Sequence, residues 1–261
     1  MTLVSEKLIY RNVQGYEKLE AMLELLEKDE EIQRHLRMAN VMAVSRLGYN
    51  DHGVVHSRIV AGSALEIFKL IVESGVTPSV VKDHIGNLED SMLVVMAGGY
   101  LHDIGNSIHR VMHNLHGCII LSRILPRLLE SVYREEPAKI HTVKSEILHV
   151  VFSHDEAVPT LSIEAGIVKV ADGTDMAEGR ARIPYKIGKI DIHSLSALAI
   201  KRVLITHGTE RPVRIIVEME NEAGYFQVEK VLGEKIKGSS IANMVEVAAF
   251  KQGEELKTLR I

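Results

Sequence analysis

The sequence predicts a mainly α-helical protein, in which a helical bundle is followed by a small α+β module. Through most of the first 190 residues, apolar side chains recur every three to four positions, which is the period of amphipathic helices. From about residue 200, β-branched residues alternate with polar ones, which is typical of strands. We therefore predict a helical domain over 1–190, with N-terminal helices over 1–47, and a second module over 194–261.

The helical spacing is interrupted by glycine, proline or polar residues, which divide it into successive helices. We find no convincing strand pattern before about residue 200. Pro126 lies inside one of the predicted helices, where it could introduce a kink. The predicted helices cover approximately residues 17–47, 52–74, 89–102, 107–130, 138–155 and 162–182.

The second module has a different pattern of apolar and polar residues. The stretches "KRVLITHG" and "RPVRIIVEME" predict strands, and "NEAG" predicts a turn or a helix start. The stretch "YFQVEKVLGEKIKG" returns to helical spacing, and "MVEVAAFKQ" predicts a last strand. The module holds no dense cluster of ligand-type residues, so we expect a structural or dimerising role, and a homodimer is left open.

The composition limits the classes of partner. The sequence contains one cysteine, has a net charge of −4 with well-mixed signs, and starts with a segment too charged for a signal peptide. No apolar run approaches the roughly 18 residues that a membrane span requires. We therefore expect a cytoplasmic protein without a nucleic-acid polymer or a membrane as its partner.

Histidine and aspartate are concentrated where predicted helices begin or end. Four of the 13 histidines fall within "YLHDIGNSIHRVMHNLHG", directly after the apolar stretch "SMLVVMAGG". Buried imidazole and carboxylate groups need partners, and without thiolates they suit Zn, Mn, Fe or Co better than a cysteine-rich structural zinc site. Residues at spacings of three and four share a helical face, which we expect for His52 with His56 and for His109 with His113 and His116. The candidate ligands are His52, His56, His102, Asp103, His109, His113, His116, His149, His154, Asp172 and Asp175.

Three of these motifs resemble one known family. "HDIG" at 102–105, an upstream histidine in "HSRIVAG" and a downstream "VADGTD" are similar to the HD-domain metal-dependent phosphohydrolases, over roughly residues 45–180. The resemblance implies an HD-domain helical bundle. It also implies a metal site formed by His56, His102, Asp103 and Asp172, in which Asp103 can bridge two ions.

Members of the family that hold a second ion use additional histidines. The pattern "HNLHGCIIL" favours His113 over His116 for this role, and "VFSHDE" favours His154 over His149. Asn106 follows "HDIG" where the subgroup that cleaves cyclic dinucleotides has lysine, and no Gly-Tyr-Pro motif is present. We therefore do not expect cyclic dinucleotides as substrates.

The resulting hypothesis is an enzyme, a metal-dependent phosphohydrolase that cleaves a phosphoester of a nucleotide or another small phosphorylated molecule. One or two divalent ions (Mn, Fe, Co, Ni, Zn or Mg) would lower the pKa of an attacking water. The predicted catalytic residues are Asp103, which orients the nucleophile, and His109, which protonates the leaving group, with His52 as its alternative. The predicted substrate-binding residues are His52, Arg180 and Arg182, whose planar guanidinium groups suit phosphate.

Two other functions share the same ligands. The first is a regulatory module that binds metal or nucleotide with little or no turnover. The second is an HD-like di-iron oxygenase. Bound metal followed by phosphate release would separate the hydrolase from the first, and oxygen consumption would identify the second.

Overall fold

The computed structural model describes residues 1–177, 192–251 and 253–260, and it confirms the mainly α fold. The residues from Val41 to Arg46 are π-helical, and those from Ile104 to Ser107 form a 3₁₀ turn. None of the described helices is long and apolar enough to cross a membrane. The α-helices are α1 (Leu8–Val13), α2 (Glu17–Lys28), α3 (Glu30–Asn40), α4 (Val54–Glu73), α5 (Ser79–Lys82), α6 (Leu88–Leu101), α7 (His113–Val132), α8 (Pro137–Ser153), α9 (Ile163–Thr174), α10 (Ile192–Leu198) and α11 (Gly233–Lys237).

Helix α6 lies at the centre of the bundle. Its sequence is apolar on all sides, and every residue from Asp90 to Leu101 is buried. A capping box between Asn87 and Asp90 fixes its start. Helices α4, α8 and α9 pack around it. Because α6 is buried along nearly its whole length, the polar pair after its last residue, His102–Asp103, enters the interior of the bundle.

The sheet has five strands in the order β1-β2-β3-β4-β5. The pair β3–β4 is parallel and the other pairs are antiparallel. Two features differ from the prediction. A short strand at the N-terminus joins the sheet, and a further strand follows the stretch predicted to be the last. A two-residue strand is too short to show a period in the sequence. The strands are β1 (Thr2–Leu3), β2 (Ile200–His207), β3 (Val213–Met219), β4 (Val245–Lys251) and β5 (Glu254–Arg260).

The connection from β3 to β4 lies against the helical bundle. Two parallel neighbours cannot be joined by a tight turn, so the chain must cross over the sheet between them. This crossover contains a π-helical segment, Gln227–Leu232, followed directly by α11. Both segments contact α9. Leu232 and Ile236 are fully buried in the same apolar core as α6. The crossover therefore brings residues of the C-terminal module to the bundle.

Helix α7 begins later in the chain than the spacing of apolar residues predicts. The prediction extended this helix from residue 107, but the structure starts it at His113, after Met112 in the left-handed conformation (φ 58°). His109 therefore lies outside the helix that contains His113 and His116, and the expectation of one shared helical face for the three was wrong. A 3₁₀ turn that contains Gly105 separates α6 from α7. The spacing of apolar residues in the sequence does not reveal such a turn.

A buried ion network fixes the start of α6. Asp90 is fully buried and accepts hydrogen bonds from Lys18 Nζ (2.9 Å), Lys139 Nζ (2.9 Å) and the Tyr133 hydroxyl (2.9 Å). Burial alone would raise the pKa of Asp90. The Asn87 backbone N–H and the two lysines outweigh burial and lower that pKa to about 2.

We expect the substitution Asp90→Asn to lower the free energy of unfolding by about 2 kcal/mol at pH 7, because two part-buried lysines lose their counter-charge. The native pKa of Asp90 lies below the unfolded value of about 3.9, so its contribution is complete above about pH 5 and is lost progressively as the pH falls through the native pKa of about 2. Urea unfolding of both proteins at pH 7, 4 and 3 measures this, with the exposed Asp83→Asn as the control. A constant difference across that range would contradict the assignment.

Candidate metal centre

His56 stands in the first turn of α4, with its side chain fully buried. Its Nδ1 lies 2.6 Å from Asp175 Oδ2. A carboxylate accepts hydrogen bonds, so this contact keeps the proton on Nδ1 and leaves Nε2 with a lone pair. The loop before α4 is fixed by Asn40, whose Oδ1 accepts from the backbone N–H of His52 (3.1 Å). His56 thus presents Nε2 to the interior of the bundle.

Three more buried histidines are oriented in the same way. Nδ1 of His102 lies 2.8 Å from the carbonyl oxygen of Gly99, at the end of α6. Nδ1 of His113 lies 3.1 Å from the carbonyl oxygen of Arg110, and Nδ1 of His154 lies 2.6 Å from that of Val151. A carbonyl oxygen can only accept, so Nδ1 carries the proton in each ring. All four rings therefore offer an unprotonated Nε2.

The first ligand group consists of His56, His102, Asp103 and Asp172. The Nε2 atom of His56 lies 3.2 Å from His102 Nε2, 3.5 Å from Asp103 Oδ2 and 3.3 Å from Asp172 Oδ1. Donor atoms about 2.1 Å from a shared ion lie about 3.0 to 3.4 Å apart in octahedral or tetrahedral geometry. His56, His102 and Asp103 lie close enough together to share one ion, and Asp172 lies beside them, with Oδ1 3.3 Å from His56 Nε2 and 3.8 Å from His102 Nε2.

The second ligand group consists of Asp103, His113 and His154. The Nε2 atoms of His113 and His154 lie 2.9 Å from each other. They lie 3.5 Å and 3.6 Å, respectively, from Asp103 Oδ1. Two lone pairs that face each other at 2.9 Å in a buried site repel each other, unless a cation or a proton lies between them. The donor set and its spacing fit a second ion.

Asp103 belongs to both ligand groups. Its Oδ2 faces His56 and His102, whereas its Oδ1 faces His113 and His154. The Asn106 amide donates to Oδ1 (2.7 Å) and holds the carboxylate in this orientation. A carboxylate that offers one oxygen to each group can bridge two ions.

The electrostatics suit cation binding. Burial, helped by the neighbouring His154, lowers the pKa of His113 to about 3, and burial also lowers the pKa of His154. Burial alone would raise the pKa of Asp103, but His102 and His52 hold it well below its usual range. Burial would also raise the pKa of Asp172, but Lys235 and His56 hold that pKa well below its usual range. Neutral imidazoles and ionised carboxylates are the protonation states that ligate metals.

The comparisons with known proteins agree with this geometry. A family model described as "HD domain" matches residues 54–177, which include all six residues of the two ligand groups. An uncharacterized protein of Methanocaldococcus jannaschii is 46% identical over 244 residues, covering 94% of this chain and 93% of the relative. The chain belongs to the HD domain superfamily of metal-dependent phosphohydrolases. No solved structure matches the chain.

Within this HD domain, the structure brings six of the predicted residues together in the two ligand groups. It places His52 beside them, buried, with Nε2 3.9 Å from Asp103 Oδ2. His109 is exposed, and its Nδ1 accepts from the backbone N–H of Val111. Arg180 and Arg182 lie outside the described residues. His116 and His149 belong to neither group.

Residues whose role the sequence analysis did not predict also shape the HD site. Asp175 was only a candidate ligand, but it orients His56 through Nδ1. Asn106 was noted only as a departure from a subgroup motif, but it holds Asp103. Lys235, in the C-terminal module, forms an ion pair with Asp172 (Nζ to Oδ2 2.7 Å). The position of Asn106, three residues after Asp103 in a helical turn, is a local signal that could have indicated its role.

Proposed function

We propose that this HD protein is a phosphohydrolase with a site for two divalent ions, which cleaves a phosphoester of a nucleotide or another small phosphorylated molecule. The observation that carries the proposal is the division of Asp103 between the two ligand groups. Bound at these groups, divalent ions would activate a water and neutralise charge on a phosphoryl group. Phosphatases and nucleases use pairs of divalent ions in this way.

The side chains of this chain would prepare the site for that reaction. Asp175 and the backbone carbonyl groups fix the histidine tautomers, so that no proton must leave a ring when the site is loaded. Asn106 keeps Asp103 in its bridging orientation. Asp103 would also accept a hydrogen bond from the attacking water and orient it towards phosphorus.

Protonation of the leaving group is a separate step, for which the geometry favours His52 over His109. Nδ1 of His52 lies 2.7 Å from the carbonyl oxygen of Asn50, so the imidazolium form would carry its second proton on Nε2, the atom nearest to Asp103. Arg110 lies 3.7 Å from Asp103 Oδ1 and is partly exposed, so it can contact a phosphoryl oxygen. His109 would have to move from its contact with Val111 to take part.

Metal content tests the two ligand groups. We expect the wild-type protein, loaded with Mn²⁺ and desalted, to retain two ions per chain, and the variant His154→Ala to retain one. The variant His149→Ala is the matched control, since His149 lies in the last part of α8, five residues before His154, and outside both groups. Elemental analysis of the three proteins provides the measurement. Two ions in the His154→Ala variant would contradict the second group.

Turnover tests the reaction. A screen of nucleotides and small phosphoesters with added Mn, Co, Ni or Mg should release phosphate from at least one substrate. Release should cease after chelation and return when the ion is restored. A protein that binds two ions but releases phosphate from no substrate would instead be the regulatory module that uses the same ligands.

A further inference from the structure

A cation from the C-terminal module lies next to the first ligand group. Lys235 is on α11, within the crossover between β3 and β4, and its ammonium group forms an ion pair with Asp172 (Nζ to Oδ2 2.7 Å). The other oxygen of Asp172, Oδ1, faces His56 and His102. A single carboxylate therefore separates the ammonium group from the donor atoms of the first ligand group.

The ammonium group of Lys235 has more N–H donors than its contact with Asp172 uses. Lysine carries three N–H donors, and among the described residues the polar contact of Lys235 Nζ is its ion pair with Asp172. The side chain is mostly buried, with 10% of its surface exposed. Buried N–H groups without acceptors cost free energy, and a charged donor costs more than a neutral one. An anion in the site would meet this need.

The packing around Lys235 holds it in place. Its aliphatic chain lies against Gly173 of α9, where an added Cβ would come within 3.2 Å of Lys235 Cδ. Lys169 anchors the end of the same crossover by donating to the carbonyl oxygens of Val158 (2.7 Å) and Gly238 (3.3 Å). The cation is thus held on a fixed segment beside the site, as a preorganised binding group would be.

We propose that Lys235 binds the phosphoryl group of the substrate, so that the C-terminal module completes the HD active site. This inference rests on the proposed function and names a residue that the HD domain match, which ends at residue 177, does not include. The ammonium group of Lys235 remains paired with Asp172 and donates an N–H to a non-bridging phosphoryl oxygen. Charge-assisted hydrogen bonds of this type are among the strong polar contacts.

The variant Lys235→Met tests the proposal, because it keeps an unbranched apolar side chain as far as Cε and removes the ammonium group. Isothermal titration with inorganic phosphate, on Mn²⁺-loaded protein, should give a Kd raised by about 10- to 100-fold. The metal content should not fall, since Lys235 repels a cation rather than binding it. Lys235→Arg should bind phosphate more tightly than Lys235→Met. Lys237→Met is the matched control on the same helix, exposed and paired with Glu234, and should behave as wild type.

Other results would overturn the proposal. Phosphate affinity within threefold of wild type in a folded, metal-loaded Lys235→Met variant would show that the ammonium group does not bind phosphate. Loss of metal together with phosphate would show that Lys235 only holds Asp172. If the methionine variant does not fold, Lys235→Gln, which can still donate to Asp172, takes its place.

The titration measures the binding of inorganic phosphate and does not require turnover. It therefore tests this inference separately from the proposed function. A protein without hydrolase activity would fail the substrate screen and could still show Lys235-dependent phosphate binding, which supports the inference. An active hydrolase whose phosphate affinity does not depend on Lys235 would refute the inference alone. A wild-type protein that binds no phosphate at millimolar concentration would also refute it.

Discussion

Replacement of Asp103 by asparagine is expected to reduce phosphoester hydrolysis by more than about a thousandfold and to lower the metal content below two ions per chain. Each of its oxygens faces a different ligand group. Loss of an outer partner of a metal ligand typically costs about 10- to 100-fold, and Asp103 is shared by both groups, so its loss should cost more. Steady-state kinetics and elemental analysis of the purified variant measure the two effects.

A matched control keeps this test specific. Glu156 is exposed and two residues after His154, so Glu156→Gln removes a carboxylate from the same region without touching either ligand group. It should retain wild-type activity and metal content. Circular dichroism should show unchanged helix content in both variants. A folded Asp103→Asn protein that keeps a tenth of its activity would exclude Asp103 as the shared ligand and, with it, the proposed function.

Much of the fold and the centre of the site could be predicted because the signals are local. The all-round apolar pattern before "HDIG" indicates a buried helix, and a polar pair at its end must find partners in the interior. His56 and Asp172 each stand in a helix whose amphipathic period is clear. The sequence therefore indicates which helix faces contain ligand-type residues. The resemblance to the HD-domain family indicates which of these residues form the metal site.

The remaining features depend on contacts between distant segments. Nothing near Asp175 in the sequence indicates that it meets His56, and nothing near Lys235 indicates that it meets Asp172. Both contacts arise from packing, the second from a crossover that parallel strands make necessary. The division into two domains near residue 190 stays a prediction. The core that contains both α6 and Leu232 is continuous across it.

The substitution Gly105→Ala is expected to lower the free energy of unfolding by about 3 kcal/mol and activity by at least about a hundredfold. A Cβ on Gly105 would lie 1.8 Å from the carbonyl oxygen of His113 and 2.4 Å from the backbone nitrogen of Gly117. Both neighbours are backbone atoms of α7, so a rotamer change cannot relieve the overlap, and the start of that helix must move. A displacement of about 1 Å at a catalytic group can cost a hundredfold in rate.

The damage from Gly105→Ala should be larger at the second ligand group than at the first, because the overlap displaces α7, which begins at His113. His113 moves with α7, whereas His56, His102 and Asp172 are held by α4, α6 and α9. The variant should therefore lose the ion of the second ligand group and keep that of the first, which elemental analysis can measure. The exposed Ile108→Ala, in the same connection, is the control and should keep both ions. Two retained ions with full activity in Gly105→Ala would mean that the contact between the 3₁₀ turn and α7 does not set the position of His113.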